Sequence, residues 1–321
     1  MQNNLKDISI QFPLNVLCAV SGVSGSGKTT LVKQILYPAL QKLKGEGVDK
    51  PGLFRALKGD VDYISQIEMV DQNPIGKSSR SNPVTYIKAY DEIRELFAKQ
   101  PLSKMRGFMP KHFSFNVDGG RCDACKGEGE QLVEMQFLAD VHLVCDVCGG
   151  KRFKEEVLDV KINDKNIFDI LQMSVDEAIA FFTPLPGGIG GAVQPLSDVG
   201  LGYVKLGQSS NTLSGGEAQR VKLASFLGKG KAQGHILFIF DEPTTGLHFH
   251  DIKKLLASFN ALVEQGHSII VIEHNTDVIK SADWVIDLGP GAGDEGGNLV
   301  FAGKPLDLKK SKESYTGKFL M

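Results

Sequence analysis

Long apolar runs are missing from this 321-residue sequence, and none approaches the roughly 20 residues that a membrane-spanning helix needs. The first residues also lack the apolar core of a signal peptide. Neither sign of charge is in excess, since 36 Lys and Arg face 38 Asp and Glu. These absences predict a cytoplasmic chain without a membrane partner, in which any attraction to nucleic acid must come from a local patch.

The chain has no internal repeat, and 42% of its residues are apolar, which is enough to bury a substantial core. From about residue 210 the pattern alternates between helices and apolar strands. It predicts strands at 236–240, 268–272 and 284–288 and a helix at 251–264. Such alternation predicts an α/β fold in which helices cover a parallel sheet.

The first third of the chain is less regular. The pattern predicts two strands at 8–12 and 16–20, then a helix at 28–43. An irregular stretch follows until a second helix at 85–98. At the other end of the chain, the basic segment 309–318 is predicted to be a solvated tail.

A glycine-rich stretch, G-V-S-G-S-G-K-T, begins at Gly22, after an apolar strand pattern and before a helical one. It matches the phosphate-binding pattern G-x-x-x-x-G-K-[ST]. The glycines let backbone N–H groups surround phosphates, the lysine adds a positive charge, and a hydroxyl binds Mg²⁺. A simple Gly-Ser turn is the alternative, which the flanking strand and helix disfavour. The predicted ATP contacts here are Gly22, Ser24, Gly25, Ser26, Gly27, Lys28, Thr29 and Thr30.

Two adjacent acids, Asp241 and Glu242, follow the apolar strand 236–240. Acids at a strand end are often merely solvated, but ligands of open α/β sheets bind at the carboxyl ends of the strands. Because a phosphate loop precedes them, we predict that Asp241 holds Mg²⁺ through water. Glu242 is predicted to act as general base on the attacking water.

The segment L-S-G-G-E at 213–217 precedes another helical pattern. An ordinary helix start explains it, with Ser214 as N-cap and Glu217 completing a capping box. It also resembles the signature motif of ABC-type ATPases, and the two interpretations are compatible. The resemblance implies that Ser214, Gly215 and Gly216 face a nucleotide phosphate at the helix N-terminus.

The order of further motifs supports this resemblance. Gln72, in V-D-Q-N-P, resembles the Q-loop glutamine that senses Mg²⁺ and the γ-phosphate, and His274 resembles the switch histidine that contacts that phosphate. With Glu242 they would form the catalytic set. The segment T-T-G-L-H at 244–248 stands in the place of the family's D-loop. It ends in His where transporters usually have Asp, which argues against a generic transporter subunit.

Four of the five cysteines form two C-x-x-C pairs, Cys122 with Cys125 and Cys145 with Cys148, separated by 19 residues. This spacing is typical of a structural zinc site in which four thiolates close the coordination shell. A disulfide or spare thiols are the alternatives, which a reducing compartment disfavours. The stretch 131–137 is predicted to form a strand of this ribbon, and Cys18 is predicted to be a core residue.

Basic and aromatic residues surround the cysteine pairs, as on surfaces that bind nucleic acid. We predict that Lys151, Arg152 and Lys154 contact backbone phosphate, because they follow the second pair. Acids share the region, so a mixed solvated face stays an alternative. The further basic and aromatic residues are Lys104, Arg106, Lys111, Arg121, Lys126, Phe108, His112, Phe113 and Phe153, and the acids include Asp118, Asp123, Glu128 and Glu130.

The stretches DQNPIGKSSRSNPVTY, GGRCDACKGEG, CDVCGGKRF and DEPTTGLH resemble the UvrA family of bacterial nucleotide excision repair, over essentially the whole chain. The resemblance is to the C-terminal nucleotide-binding half of the damage-recognition subunit. It implies an ATP-hydrolysing protein, not itself the nuclease, with ATP, Mg²⁺ and one structural Zn²⁺. The implied partners are damaged double-stranded DNA, the N-terminal ATPase half or a second copy, and UvrB, whose docking region is expected to be absent here.

The resemblance also divides the chain. It implies an ATP-binding core in two parts, 1–84 and 211–321, flanking a signature subdomain at 85–210 with a zinc module at 120–152. Only 27 residues precede Lys28, too few for the aromatic strand that stacks on adenine in many ABC domains, so we expect a fragment or a split half. Two other functions stay open. One is a UvrA-like ABC ATPase module in drug tolerance or transport without DNA preference, and the other a binding module whose ATP site only sets conformation.

Overall fold

The computed structural model describes residues 3–45, 50–76, 80–133, 141–228 and 234–320. The chain divides into two compact units, of which the first comprises Met1–Gln72 and Lys229–Met321 and the second Asn73–Gly228. These divisions differ from the boundaries predicted after residues 84 and 210. The helix that follows L-S-G-G-E belongs to the second unit, because it packs on helices of that unit.

The described strands are β1 Leu17–Gly22, β2 Ile64–Val70, β3 Glu130–Val133, β4 Val141–Val144, β5 His235–Asp241, β6 Ser268–Ile272, β7 Trp284–Gly289 and β8 Asn298–Gly303. The described helices are α1 Thr30–Leu36, which is π-helical, α2 Tyr37–Leu43, α3 Pro83–Tyr86, α4 Ala89–Ala98, α5 Pro101–Arg106, α6 Glu155–Leu158, α7 Ile167–Gln172, α8 Val175–Phe182, α9 Ile189–Asp198, α10 Gly215–Leu227, α11 Phe249–Glu264, α12 Thr276–Ser281, α13 Pro305–Leu308 and α14 Tyr315–Lys318. Single 3₁₀ turns span Val61–Tyr63, Pro110–Phe113, Ser210–Thr212 and Gly293–Glu295. Across the described ranges, no helix has both the length and the apolar character needed to cross a bilayer.

The first unit is built on a six-stranded sheet with the order β2-β5-β6-β1-β7-β8. Every neighbouring pair is parallel except β7 and β8, which are antiparallel. The residues of β1 and β6 are all buried, as expected for strands covered on both faces. The α/β prediction is therefore confirmed, and the three strands predicted after residue 210 lie within β5, β6 and β7.

Helices α1 and α2 cover one face of this sheet. Leu31, Val32 and Leu36 pack in a cluster with strand residues such as Val20 and Ile239, and all of them are buried. Burial of each such side chain contributes about 1.5–3 kcal/mol to the stability of the fold. This packing holds the segment after β1 against the sheet, so the loop that joins β1 to α1 has two fixed ends.

Two sequence predictions for the first unit are wrong, and one strand was not predicted. The stretch 8–12 forms no strand; Ile8, Ile10 and Phe12 pack partly buried against the core without joining the sheet. Strand β2 lies in the stretch predicted to be irregular, and β8 was not predicted. Both are edge strands with mixed burial, so neither has the continuous apolar run that marks an inner strand.

The C-terminal segment also differs from its prediction as a solvated tail. Asp287 of β7 is buried, and its carboxylate accepts hydrogen bonds from the hydroxyls of Ser21 (2.6 Å), Ser314 (2.6 Å) and Thr316 (2.8 Å). Ser314 is fully buried and caps α14 by accepting from the N–H of Gly317. A buried carboxylate requires donors, and the end of the chain supplies two of them.

The second unit combines helices with the antiparallel hairpin β3–β4. Its fully buried aromatic residues include Phe97, Phe113, Phe115, Phe153 and Phe182. A capping box starts helix α10, as the sequence predicts: Ser214 Oγ accepts from the N–H of Glu217 (3.3 Å), and Glu217 Oε2 accepts from the N–H of Ser214 (2.8 Å). Strand β3 covers the start of the predicted strand 131–137, and residues 134–137 lie outside the described residues.

Candidate nucleotide site and metal centre

The loop between β1 and α1 requires glycine at several positions. Gly22, Gly25 and Gly27 have φ angles of 134°, 78° and 106°, a region that disfavours side chains. A Cβ atom on Gly22 would lie 2.2 Å from the carbonyl oxygen of Leu288. The loop that the sequence predicts to bind phosphate thus has a conformation that its glycines make possible.

The predicted phosphate ligands of this loop differ in exposure. Lys28 is 5% exposed, and its Nζ donates to the carbonyls of Gly22 (3.0 Å) and Val23 (3.0 Å). Burial lowers the pKa of Lys28, while the carboxylate of Glu242 opposes that shift. The hydroxyl-bearing Thr29 is exposed, as a magnesium ligand would have to be.

A buried polar atom in the same loop tests whether an anion fits there. In the part of the chain that the structure describes, the hydroxyl oxygen of Ser26 is buried and has no hydrogen-bond partner. Such orphaned groups are rare in folded proteins. An unsatisfied hydroxyl in the loop that also carries Lys28 fits a loop that binds a phosphate.

The two predicted acids lie where β5 ends. Asp241 is its last residue, and its Oδ2 lies 2.5 Å from Nζ of Lys33 in α1. Glu242 has a left-handed φ of 45°, which is uncommon for a residue with a side chain, and its N–H donates to the carbonyl of Ile272 (2.9 Å). This hydrogen bond fixes the direction in which the chain leaves the sheet after the catalytic candidate.

His274 and Gln72 lie at the same sheet edge. Nε2 of His274 is 3.7 Å from Oε1 of Glu242, and both side chains are close to half exposed. Burial, and then the positive charge of Lys28, lower the pKa of His274, which favours the neutral form of the ring. Gln72 follows the end of β2, which pairs in parallel with β5, and is exposed. The first unit therefore brings the three predicted catalytic residues to the carboxyl ends of its strands.

One acid at this edge was missed by the sequence analysis. Glu273 follows β6, is 2% exposed, and accepts backbone hydrogen bonds from Thr244, His274 and Asn275. The signal that could have identified it is the one that identified Asp241: an acid directly after a buried apolar strand.

The signature residues lie in the second unit. Ser214 is exposed, and Gly215 and Gly216 form the first turn of α10. Glu217, which closes the capping box, also accepts a hydrogen bond from the hydroxyl of Tyr203 (2.7 Å). These contacts hold the start of the helix in a defined conformation while the N-cap residue stays accessible.

The four paired cysteines form one cluster in the second unit. Their sulfur atoms all lie within 4.8 Å of one another, with Cys122 and Cys145 at 4.0 Å and Cys125 and Cys148 at 3.7 Å. Thiolates at the corners of a tetrahedron around zinc, at about 2.3 Å from it, stand about 3.8 Å apart. All four are free cysteines. The cluster therefore fits a tetrahedral metal ion and not a disulfide.

Backbone groups shape this cluster. The N–H of Gly129 donates to the sulfur of Cys125 (3.2 Å), and a Cβ atom on Gly127 would lie 2.1 Å from a carbonyl oxygen of Phe115. Backbone N–H groups of Cys148 and Val147 lower the pKa of the Cys145 thiol to about 7. Burial raises the pKa of Cys148 to about 12, which disfavours its thiolate unless a cation binds there.

The three basic residues predicted to contact DNA differ in their surroundings. Lys151 is exposed. Arg152 donates from Nη1 to the carbonyl of Gly207 (3.2 Å), and its guanidinium lies 5.6 Å from the centre of the Phe115 ring. Lys154 pairs with Asp123 at 2.8 Å. Arg152 therefore has a structural contact that competes with its predicted role.

Comparisons with known proteins agree with the motifs. No model of a protein family matches the chain. UvrABC system protein A of Clostridium perfringens (strain 13 / Type A) is 52% identical over 319 residues, which are 99% of this chain and 34% of the relative. The same protein of Staphylococcus aureus (strain COL) is 52% identical over 318 residues, 99% of this chain and 33% of the relative. The crystal structure of UvrA2 from Deinococcus radiodurans matches with a TM-score of 0.90 and 45% identity, covering 100% of this chain and 38% of that one.

The sheet, the phosphate loop, the acids after β5 and the helix after L-S-G-G-E define the class of protein, an ABC-type P-loop ATPase fold with an inserted unit that carries four clustered cysteines. The comparisons confirm the narrower resemblance predicted from the motifs: the chain is homologous to UvrA proteins. It spans about a third of the length of the curated relatives it matches.

Proposed function

We propose that the chain is an ATP-binding and ATP-hydrolysing part of a UvrA damage-recognition subunit of nucleotide excision repair, corresponding to its C-terminal nucleotide-binding half. The observation that carries the proposal is the convergence of Lys28, Asp241, Glu242 and His274 at one edge of the sheet. Ligands of open α/β sheets bind at this edge. The likeness to proteins called UvrABC system protein A supports the choice of system.

Each residue of the edge would have one role in phosphoryl transfer. Lys28 and the backbone of the glycine loop would hold the β- and γ-phosphates, and Thr29 and Asp241 would hold Mg²⁺, which supplies positive charge against the phosphates. Glu242 would accept a proton from the attacking water. Neutral His274 would donate a hydrogen bond to the γ-phosphate, and Gln72 would respond to its presence. The half-exposed positions of Glu242 and His274 leave both side chains accessible to a nucleotide.

The signature residues would complete a second site. In the proposed mechanism Ser214, Gly215 and Gly216 offer the N-terminus of α10 to nucleotide held by a partner ATPase surface, which is either another half of the protein or a second copy of this chain. Donors aimed at the γ-phosphate from two sides would stabilise the charge that develops there. The exposure of Ser214 supports this role.

The cysteine cluster would hold one Zn²⁺ with a structural role, and the surface around it would contact damaged double-stranded DNA through Lys151, Arg152 and Lys154. Zinc would stabilise that surface and take no part in hydrolysis. In the full-length context UvrB would be a further partner. Nucleotide state would then control the grip on DNA in a cytoplasmic repair complex.

The test of the catalytic proposal is a comparison of the wild type with Glu242→Gln, which keeps the size of the side chain and removes its charge. We expect the affinity for MgATP, measured by calorimetry, to stay within about twofold. Turnover, measured as phosphate release at high protein concentration, should fall on the order of 100-fold or more, because the general base is lost. Lys28→Ala serves as the control that loses nucleotide binding. Equal turnover by wild type and Glu242→Gln would contradict the proposal.

A further inference from the structure

A buried carboxylate joins two loops of the first unit. Oε1 of Glu273 accepts from the N–H of Thr244 at 2.9 Å. Oε2 accepts from the N–H groups of His274 at 2.8 Å and Asn275 at 3.0 Å. The backbone of Glu273 is itself fixed, since its N–H donates to the carbonyl of Val20 in β1 at 3.1 Å. One side chain therefore bridges the loop after β5 and the loop after β6, with its own position set by the centre of the sheet.

We propose that Glu273 is a positioning residue that makes these two loops move as one, so that a nucleotide contact at His274 also sets the loop after Glu242. The inference rests on the proposed ATPase function and deepens it, because it names the group that regulates the catalytic edge. Glu273 is 2% exposed and acts through its neighbours without touching nucleotide.

The geometry explains why the side chain is a glutamate. A carboxylate accepts on both oxygens, and all three of its partners here are N–H donors. Glutamine would present an amide NH₂ group to the N–H of Thr244 or to those of His274 and Asn275, so it could satisfy only one side. Aspartate is shorter by one methylene and could not span both loops. The backbone donors also offset the cost of burying a charge.

The two catalytic candidates lie one on each loop, directly beside this bridge. Glu242 precedes Thr244 by two residues, and the loop is tightened by hydrogen bonds from the N–H of Thr245 to the carbonyl of Glu242 (3.1 Å) and from the N–H of Leu247 to that of Thr244 (3.0 Å). The 3.7 Å separation between Glu242 and His274 therefore depends on two chain segments anchored by the same carboxylate. Reacting groups misplaced by about 1 Å can lose about 100-fold in rate.

The loop also continues to an exposed surface. It leads through His248 into α11, whose first residue, Phe249, is 73% exposed. A displacement of His274 on nucleotide binding or release would thus reach this surface through Glu273 and Thr244. Through this bridge, the presence or absence of the γ-phosphate at the edge of the sheet would change the conformation of an exposed surface that another molecule can contact.

The experiment measures MgATP affinity, turnover and amide hydrogen exchange of the 321-residue chain as wild type, Glu273→Gln and Glu273→Asp. Ser268→Ala is the matched control, because it removes a buried hydroxyl that accepts from the N–H of Asn15 (2.6 Å) and contacts His235 (2.8 Å), at the opposite ends of the strands. We expect both Glu273 variants to keep affinity within about twofold and to lose about 100-fold in turnover. The amides of Thr244, His274 and Asn275 should exchange faster, and Ser268→Ala should change none of these.

A double variant tests the coupling itself. If Glu273 acts through His274, Glu273→Gln combined with His274→Ala should lose little more turnover than His274→Ala alone. Losses that multiply fully would overturn the inference, as would unchanged exchange at Thr244 or turnover of Glu273→Gln within twofold of wild type. A wild type that neither binds nor hydrolyses ATP would refute the proposed function instead, and the exchange measurement would still decide whether Glu273 joins the loops.

Discussion

Arg152 and Lys151 are adjacent in the chain, but their side chains have different surroundings. The guanidinium of Arg152 donates to the carbonyl of Gly207 and lies over the ring of Phe115. Lys151 extends from the same turn as an exposed residue. Within the described ranges, a contact to DNA from the Lys151 side chain would break no internal hydrogen bond, whereas one from Arg152 would compete with the contact to Gly207.

This difference separates the effects of two substitutions. Lys151→Ala should weaken binding of a duplex uniformly across sequences and reduce the steepness of its salt dependence by about one unit, with no change in melting temperature. Arg152→Ala should lower the melting temperature by about 2–4 °C, because a hydrogen bond worth about 1 kcal/mol is lost. Anisotropy titrations at several KCl concentrations and calorimetry measure the two effects. An unchanged salt slope for Lys151→Ala would show that Lys151 lies on a solvated face and does not contact DNA.

Sequence spacing located the residues whose chemistry follows from short motifs. Three examples are the glycines before Lys28, the acids after β5 and each of the two cysteine pairs. The residues of each motif lie within a few positions of one another, so the motif can be recognised in the sequence. Glu273 and Asp287 are different, because their partners lie far away in the chain. Thr244 is 29 residues from Glu273, and Ser21 is 266 residues from Asp287. A motif cannot show a contact that only the folded sheet creates.

At the scale of elements, the cysteine cluster anchors the hairpin β3–β4. The N–H of Cys145 donates to the carbonyl of Gly129, and the N–H of Cys122 donates to that of Arg152, so the cluster joins both ends of the module. Among the described residues of the hairpin, the apolar side chains of Leu143 (53%) and Val144 (62%) are exposed. The metal is therefore expected to be its main support.

Removal of one ligand should test this dependence. Purified Cys145→Ser should contain well below one zinc per chain, against about one for the wild type, and should become sensitive to protease within 120–152. Cys18→Ala is the matched control: Cys18 is a fully buried core cysteine of β1, and its loss should leave the zinc content unchanged. Circular dichroism should show that the sheet of the first unit persists. A metal-free wild type with a protected hairpin would contradict the structural role of zinc.

A pair of histidines links β5 and β6 at their amino ends. His235 Nδ1 lies 2.6 Å from the carbonyl oxygen of Gly266, and its Nε2 lies 2.8 Å from Ser268 Oγ. The ring of Tyr63 packs against that of His235 in a tilted arrangement, with the ring centres 4.4 Å apart. His267 Nδ1 accepts from the N–H of Ile236 at 3.3 Å. Burial lowers the pKa of both histidines, and for His267 the charge of His235 lowers it further.

These pKa shifts set the sign of a pH dependence. The folded chain favours the neutral rings, so their contribution to stability is complete above the unfolded histidine pKa of about 6.5 and is lost as the pH falls below it. We expect the urea midpoint to decrease between pH 7.5 and pH 5.5. The decrease should be smaller for His235→Gln, which cannot be protonated. An equal decrease in the variant would show that groups other than His235 cause the loss of stability at acidic pH.

The inner strands of the sheet could be predicted because they are continuous apolar runs: β5, β6 and β7 are buried on both faces. The edges could not. Strand β2 alternates weakly, with exposed Ser65 and Gln66 near its start. The stretch 8–12 shows a strand-like alternation that serves packing against the core without pairing. The pattern of apolar residues indicates which side chains are buried. It does not indicate which backbone groups form hydrogen bonds to a neighbouring strand.

At the scale of the whole molecule, the predicted ATPase residues fall into both units. The glycine loop, the acidic strand end, His274 and Gln72 belong to the first unit, and the residues 214–216 belong to the second. The sequence placed all of these motifs in their order. It assigned residues 211–228 to the ATP-binding core because motif order does not reveal that α10 packs with the helices of the second unit.

The central claim is that ATP turnover requires two surfaces, the glycine loop of one copy and the signature helix of a partner. The most direct measurement is phosphate release per chain as a function of protein concentration, beginning where the chain is strictly monomeric. We expect turnover per chain to rise with concentration, because signature donors absent from a lone site stabilise the transition state by roughly several kcal/mol. Ser214→Arg should abolish the rise without changing MgATP affinity, and Ser281→Arg, at an exposed position on α12, should leave it intact. Full turnover from a dilute monomer, or an undiminished rise in Ser214→Arg, would contradict the account.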